Sequence, residues 1–121
     1  MGIAWTEGVV KRGMSLTRFA EITATNAARI FGLYPRKGVI APGSDADLVL
    51  IDPSIQKTLT REDFHVRDYS PWEGWSVSGW PATTILRGKV IVEGGKLLGD
   101  VKDGQLVKRR IGGDVLGRPV A

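Results

Sequence analysis

The chain has 121 residues, no cysteine, 42% hydrophobic residues and a formal net charge of +4. This length fits one domain, the lack of cysteine excludes disulfides and thiolate metal sites, and the composition is typical of an ordered globular protein. The sequence has no apolar run near the roughly 20 residues of a membrane helix and no signal segment, so a soluble, cytoplasmic protein without membrane contact is expected.

A short first helix is predicted near the start of the chain. It spans residues 5–12, with Thr6 or the turn before it as the N-terminal cap and Gly13 as its terminator. Val9 and Val10 form its apolar side. Because it is so short, this helix is expected to depend on packing against other elements.

A second helical run is predicted after Ser15, which is a favourable N-terminal cap. Apolar residues then recur every three or four positions and place one face towards a core. Thr25-Asn26 is expected to interrupt this run and cap a further helical segment. Gly32 suits the left-handed residue that ends a helix, with Leu33 as the apolar contact that follows it.

The stretch from 38 to 53 is predicted to contain a tight turn and a buried strand. Pro42-Gly43 suits the centre of a type II turn, because proline fixes φ and glycine accepts a positive φ. Leu48-Val49-Leu50-Ile51 is an unbroken apolar run that ends at Asp52-Pro53. Such a run is typical of a central strand covered on both faces.

The middle of the chain combines a short strand with an aromatic loop. Residues 57–60 alternate like a strand, and Thr60 followed by Asp63 resembles the cap of a helical turn. Residues 64–75 show no period but carry several aromatic side chains. We expect this loop to pack against something, because so many aromatic residues are rarely left in water.

The clearest strand signals come late in the chain. Residues 82–86, 90–92 and 96–98 are predicted as a meander of three short strands. Residues 87–89 form the first turn, and Gly94-Gly95 suits a two-residue primed turn between the last two strands. With only a few short strands and helices, some strand edges would remain unpaired unless another segment covers them.

The candidate metal ligands do not form a convincing site. His65 is the only histidine, whereas a hydrolytic metal site needs three or more ligands, so a structural role in a loop is expected. Asp45, Asp47 and Asp52 could in principle bind a hard cation. Their spacing does not match a calcium loop, and aspartate beside Pro-Gly is common for turn hydrogen bonding.

Other reactive or binding residues are also scattered. The serines have no partner base besides His65, the glycines do not form a phosphate loop, and the four tryptophans suit core or interface positions. The C-terminal tail is basic but lacks the interleaved aromatics of a nucleic-acid site. No catalytic, cofactor-binding or metal-binding residue is therefore predicted in this chain, and no nucleic-acid partner.

Several long segments resemble the C-terminal quarter of cyclic amidohydrolases. These are residues 7–10, 25–38 and 40–49. Residues 68–75 and 79–88 are most similar to the dihydropyrimidinase and D-hydantoinase branch, more than to allantoinases or dihydroorotases. The resemblance covers nearly the whole chain and weakens after about Gly113.

This resemblance implies an α+β fragment. Residues 1–37 would be the terminal helices of a TIM-barrel domain, residues 38–100 the C-terminal strands of its composite β-sandwich, and residues 101–121 a basic C-terminal arm that contacts a neighbouring subunit. The family's binuclear zinc centre is held by histidines, a carboxylated lysine and an aspartate upstream of the matched region. None of these ligands corresponds to a residue of this chain.

The resemblance thus implies a scaffold and assembly part of a zinc-dependent hydrolase of dihydropyrimidines or hydantoins. The expected partners are the missing N-terminal barrel segment or further copies in a homo-oligomer, and the fragment alone is expected to be inactive. The alternative is a non-catalytic β-sandwich assembly module of a hydrolase-like protein.

Overall fold

The computed structural model describes residues 1–64, 68–113 and 117, and within these ranges it contains two helices and a four-stranded antiparallel sheet. This architecture agrees with the predicted α+β class. His65 lies outside the described residues. Neither helix is long and apolar enough to cross a bilayer, a finding that holds for the described ranges only.

The first helix, α1, covers residues 2–12 and begins earlier than predicted. It is α-helical over Gly2–Ala4 and π-helical over Trp5–Val10. Thr6 was expected as a cap but lies inside the helix, where its Oγ1 is 2.9 Å from the carbonyl oxygen of Gly2. The predicted terminator is confirmed, because Gly13 has a φ of +67°.

The second helix, α2, covers residues 16–30 without a break. Its three parts are α-helical Leu16–Ala20, π-helical Glu21–Thr25 and α-helical Asn26–Ile30. The predicted fresh cap at Thr25-Asn26 is therefore wrong. Thr25 and Asn26 both have right-handed helical backbones, and the Thr25 hydroxyl donates to the carbonyl of Gly38 at 2.7 Å instead of capping a helix.

Both ends of α2 carry the predicted caps. At the start, the Arg18 N–H donates to the Ser15 hydroxyl at 3.2 Å. At the end, Gly32 is left-handed, and the Leu33 N–H donates to the carbonyl of Ala28 at 2.7 Å. Together with the bond from the Gly32 N–H to Arg29, this is a Schellman motif.

The sheet is a meander of four strands in chain order. The strands are β1, Leu48–Thr58; β2, Ser76–Leu86; β3, Lys89–Glu93; and β4, Lys96–Leu97. Two-residue turns join the last three strands, at Arg87-Gly88 and at the predicted Gly94-Gly95. All four turn residues have positive φ, as primed turns require.

The strand β1 is an edge strand, which corrects the prediction of a central, doubly covered one. Within the described residues it pairs only with β2. Val49 is 39% exposed and Leu50 is 52% exposed. Residues 48–51 are all apolar, but the described chain buries only part of their side-chain surface. The turn before β1 is as predicted, with Gly43 at a φ of +88° and the Ser44 N–H donating to Ala41 at 3.1 Å.

The strand β1 also continues past Pro53, where the sequence predicted its end. The pairing with β2 shifts register between Asp52 and Gln56, so Pro53 lies in an irregular segment of an edge strand. Asp52 stabilises this bend by accepting bonds from the backbone and the hydroxyl of Ser54, at 2.8 and 2.6 Å. Of the predicted strand at 57–60, only Lys57 and Thr58 belong to β1, and Leu59 and Thr60 follow its end.

The helix α1 packs on the first half of β2 at very close range. A Cβ atom on Gly2 would lie 2.4 Å from the Trp80 ring, and one on Gly79 would lie 2.3 Å from Nε1 of Trp5. Between these two contacts, the Ser78 N–H donates to the Thr6 hydroxyl at 3.0 Å. The helix therefore supplies hydrogen-bond partners on the side of β2 that β3 does not reach.

The aromatic loop is only partly packed. The rings of Trp72 and Trp75 meet edge to face at 5.0 Å, whereas Tyr69 is 76% exposed. The predicted cap before this loop is confirmed, because the Thr60 N–H donates to Asp63 at 2.9 Å and a helical turn, Arg61–Phe64, follows. Phe19, Ala28, Leu59 and Val77 form the buried apolar core.

Candidate functional site

Two of the three predicted acidic residues meet at one lysine. The Lys37 ammonium lies 2.8 Å from Asp45 Oδ2 and also contacts Oδ2 of Asp47. Asp47 turns its other oxygen to the Arg87 N–H, at 2.8 Å, and Arg36 lies 2.9 Å from Asp45. This charged cluster ties the loop after α2 to the turn between β2 and β3.

The titration of the charged cluster follows from these bonds. The hydrogen bond from Lys37 lowers the pKa of Asp45 below its usual 3.8, against a smaller opposing effect of burial. Burial acts to raise the pKa of Asp47, but bonds from Lys37 and from the Arg87 N–H outweigh it and lower that pKa. Burial acts to lower the pKa of Lys37, and its two carboxylate partners outweigh it and raise that pKa above 10.5. The cluster therefore stays ionised around neutral pH.

The charged cluster does not fit a metal site. Asp52 lies apart from it, bound to Ser54, and within the described residues no three histidine, cysteine, aspartate or glutamate side chains are grouped to hold a metal ion. Asp45 and Asp47 already share the Lys37 ammonium, which occupies the oxygens that a cation would need. The described donors therefore do not fit the zinc centre that the family resemblance implies.

Several of the serines and tryptophans make structural contacts. Ser15 caps α2, and Ser70 is buried, with its hydroxyl accepting from the Trp72 N–H at 3.3 Å. Trp5 meets Phe19 edge to face, with ring centroids 5.4 Å apart. Trp80 has the Lys57 ammonium 4.9 Å from its ring centre. Trp5 and Trp80 thus pack within the chain, whereas Trp72 and Trp75 are 38% and 41% exposed.

A wide apolar cleft opens on one side of the described chain. Its volume is about 1060 Å³, and it lies between the inner face of α2, the loop after α2 and the start of β1. Phe19 and Ala28 form its buried floor, while Leu16 and Ile40 stand on its walls. The charged cluster lies at its polar end.

The cleft was not predicted as a site, although two sequence signals pointed to its walls. One signal is the apolar face of α2, and the other is the Leu48–Ile51 run. Each signal indicated a buried surface. The sequence alone could not show that these two surfaces face each other across an open cleft. A cleft of this size with few polar groups suits a polypeptide surface better than a small ligand, whose pockets carry convergent polar groups.

Comparisons with known proteins give a consistent result. The family model described as "Amidohydrolase family" matches residues 3–91. The D-hydantoinase of Ralstonia pickettii is 48% identical over 105 residues, and that of Rhizobium radiobacter is 47% identical over 105 residues. The solved structure of a dihydropyrimidinase from Brevibacillus agri superimposes with a TM-score of 0.83 at 43% identity.

These matches cover most of this chain but little of the relatives. The alignments with both D-hydantoinases include 86% of this chain and 23% of the relative, and the dihydropyrimidinase match includes 89% and 24%. The chain thus spans about a quarter of the length of the curated relatives that it matches.

Proposed function

Because the chain belongs to the amidohydrolase family, in its hydantoinase and dihydropyrimidinase branch, we propose that it is the C-terminal scaffold and assembly part of a hydrolase of cyclic amides. The substrates would be hydantoins or dihydropyrimidines. The observation that carries this proposal is the match to D-hydantoinase, at 48% identity over 105 residues that make up 23% of that enzyme.

The proposed division of the chain follows the family resemblance. Residues 1–37 would belong to the barrel domain, residues 38–100 to a β-sandwich, and residues 101–121 to an arm that contacts another subunit. Two features support this division: α2 ends at Ile30, ahead of the left-handed Gly32, and the four strands of the described residues lie between Leu48 and Leu97. The open cleft lies where these two parts meet, as expected if further chain covers both.

The proposed hydrolase would depend on zinc held by ligands outside this chain. Asp45 pairs with Lys37 and Asp52 accepts from Ser54, so the ligands would have to come from the part of the enzyme that this chain does not include. The role of the chain would then be to hold the barrel and sandwich in register and to form subunit contacts.

A segment exchange tests the proposal. The matched 105 residues of the Ralstonia pickettii D-hydantoinase would be replaced by the corresponding residues of this chain, and hydantoin ring opening would be measured with and without added zinc. We expect a folded chimera with zinc-dependent activity. The control is the same enzyme with the segment deleted, which should be inactive.

The opposite outcome would favour the alternative function. A chimera that folds and assembles like the parent enzyme but does not open hydantoin would show that this segment cannot support catalysis. The chain would then be better described as a non-catalytic assembly module of a hydrolase-like protein.

A further inference from the structure

The end of the chain returns to the body of the same molecule. After β4, a helical turn covers Val101–Asp103, and the tail segment, residues 104–110, then runs on without helix or strand. Both ends of the tail segment contact other parts of the chain. One contact is made at the sheet, and the other is made at the end of α2.

The sheet end of the tail segment is held by Asp103. Its carboxylate lies 2.9 Å from the Lys89 ammonium at the start of β3, and its carbonyl oxygen accepts a hydrogen bond from the Arg87 guanidinium. The same carboxylate accepts from the Asp100 N–H at 2.8 Å, which closes the helical turn. The tail segment therefore leaves the sheet from a fixed point beside the turn between β2 and β3.

The other end of the tail segment lies against the end of α2. The Arg110 N–H donates to the carbonyl of Gly32 at 2.8 Å, and the backbones of Arg110 and Ile111 fill the space that a Cβ on Gly32 would take. Gly13, which ends α1 with the same φ of +67°, has nothing within 4 Å of its Cβ position. Glycine at position 32 thus both ends the helix and leaves room for the tail segment.

The helix α2 is held to the sheet mainly outside its own length. It packs on α1, and the open cleft separates it from the start of β1. Within the described residues, no packing of comparable extent joins α2 to a strand. The charged cluster links the loop after α2 to the turn between β2 and β3, and the tail segment connects the same two regions.

We propose that the tail segment is an intramolecular strap that holds the C-terminal end of α2 to the sheet. Asp103 fixes its start and the Gly32 carbonyl fixes its end. Because the segment between these two attachments is short, ordering it costs little loop-closure entropy. The strap thereby fixes the placement of the α2 wall of the cleft relative to the sheet.

This inference goes beyond the proposed function. Residues 101–121 are proposed as an arm that contacts another subunit, whereas the strap assigns residues 101–110 to the helix and sheet of their own chain. Only the residues that follow would be left for a second subunit. The strap is measured on this chain alone, without any assay of hydrolysis or assembly, so the two proposals fail separately.

Cleavage of the full chain by chymotrypsin after Leu106 tests the attachments. The Leu106 side chain is 94% exposed, so the bond is protected only if the backbone on both sides of it is held. We expect Gly32→Ala to speed this cleavage at least about tenfold, because the added methyl group displaces Arg110. Gly13→Ala is the matched control, since it strains the end of α1 equally but meets no neighbour, and it should leave the rate unchanged.

A second variant leaves the end of the helix as it is. Arg110→Pro removes the N–H that donates to Gly32, and it should speed the cleavage as well. Adding Gly32→Ala to Arg110→Pro should give little further increase, because both changes release the same contact. Since Arg110 lies outside α2, hydrogen exchange of the amides of residues 26–31 in Arg110→Pro reports whether the strap holds the helix. We expect this exchange to become faster.

Circular dichroism establishes that each variant is folded before these rates are compared. The proposal is overturned if chymotrypsin cuts after Leu106 equally fast in the natural chain, in Gly32→Ala and in Arg110→Pro, or if Gly13→Ala speeds the cut as much as Gly32→Ala. It is also overturned if Arg110→Pro releases the tail segment without changing hydrogen exchange in α2, because the segment would then lie on the helix without holding it.

Discussion

Gly79 shows how closely the first helix approaches the sheet. Its φ is +90°, and the space that a Cβ would take is filled by the indole of Trp5. Gly74 has nearly the same backbone, with a φ of +82°, but nothing lies within 4 Å of its Cβ position. A side chain at either position would strain the backbone, but only a side chain at Gly79 would also clash with a neighbour. Comparing substitutions at the two positions therefore isolates the effect of the clash.

We predict that Gly79→Ala destabilises the chain by at least about 2 kcal/mol more than Gly74→Ala. Both variants carry the backbone strain of about 1–2 kcal/mol, but only the first forces α1 away from β2. Urea denaturation followed by circular dichroism measures both. Equal losses for the two variants would contradict the close packing of Trp5 on β2.

Thr6 gives a second prediction at the same contact. Its buried hydroxyl accepts from the Ser78 N–H at 3.0 Å, so Thr6→Val leaves that half-buried donor without a partner. The expected loss is about 1–3 kcal/mol in the free energy of unfolding. The matched control is Thr23→Val, which removes only a bond to the Phe19 carbonyl within α2 and should cost less than about 1 kcal/mol. Similar losses in urea denaturation would contradict the special role of Thr6.

Among the elements, the helices and the sheet are joined by the charged cluster. Asp47 precedes β1, accepts from the turn between β2 and β3, and contacts Lys37 in the loop after α2. The Asp47 carboxylate therefore links the start of β1, the turn between β2 and β3, and the loop after α2. Its lowered pKa means that the unfolded chain takes up a proton at this position before the folded chain does as pH falls.

We therefore predict an acid-dependent loss of stability that Asp47→Asn reduces. The stabilising effect of the Asp47 carboxylate is complete above its usual pKa of 3.8 and is lost as pH falls through its lower value in the folded chain. The variant should be less stable than the natural chain at pH 7, by about 1 kcal/mol for a lost charged bond, and should lose less between pH 5 and pH 2.

Melting temperatures across this pH range provide the measurement. Glu21→Gln removes an exposed ion pair with Arg18 on α2 and serves as the control, since such pairs contribute little. An acid profile for Asp47→Asn that runs parallel to that of the natural chain would contradict the role assigned to this carboxylate.

The elements that could be predicted from sequence are those fixed by local chemistry. The Ser15 cap, the left-handed Gly32 and the turns at Pro42-Gly43 and Gly94-Gly95 depend on residues within a few positions of each other. The continuity of α2 through Thr25 was missed because the Thr25 hydroxyl bonds to Gly38, which is thirteen positions away. Propensity alone cannot reveal such a tertiary contact.

The position of β1 in the sheet could not be predicted for a different reason. An unbroken apolar run indicates that both faces of a strand are to be covered, but it does not say which chain covers them. The run between Leu48 and Ile51 therefore suggested a central strand, and the structure places it at an edge. The cleft was missed for the same reason, because its two walls become a site only through their relative placement.

At the scale of the whole molecule, the chain has a small core and a large apolar face. Only four apolar side chains are counted as buried among the described residues, whereas the cleft walls are open. Such a balance makes the folded state depend on whatever covers the cleft, since burial of apolar surface supplies most of the stability.

We predict that the chain binds a hydrophobic dye such as anilinonaphthalene sulfonate in its folded state, because exposed apolar side chains such as Ile40 line the open cleft. The Ile40→Asp variant should give weaker dye fluorescence, whereas Leu106→Asp, at an exposed leucine that does not line the cleft, should not. Dye fluorescence of the natural chain at the level of a compact control protein would contradict an open cleft.

The irregular segment at Pro53 limits aggregation through the free edge of β1. A long, flat and apolar strand edge invites open-ended stacking into fibrils. Here the proline and the register shift between Asp52 and Gln56 divide the free edge of β1 into two short pieces, and aspartates flank the apolar piece. The free edge of β1 is therefore protected against aggregation even when no other strand pairs with it.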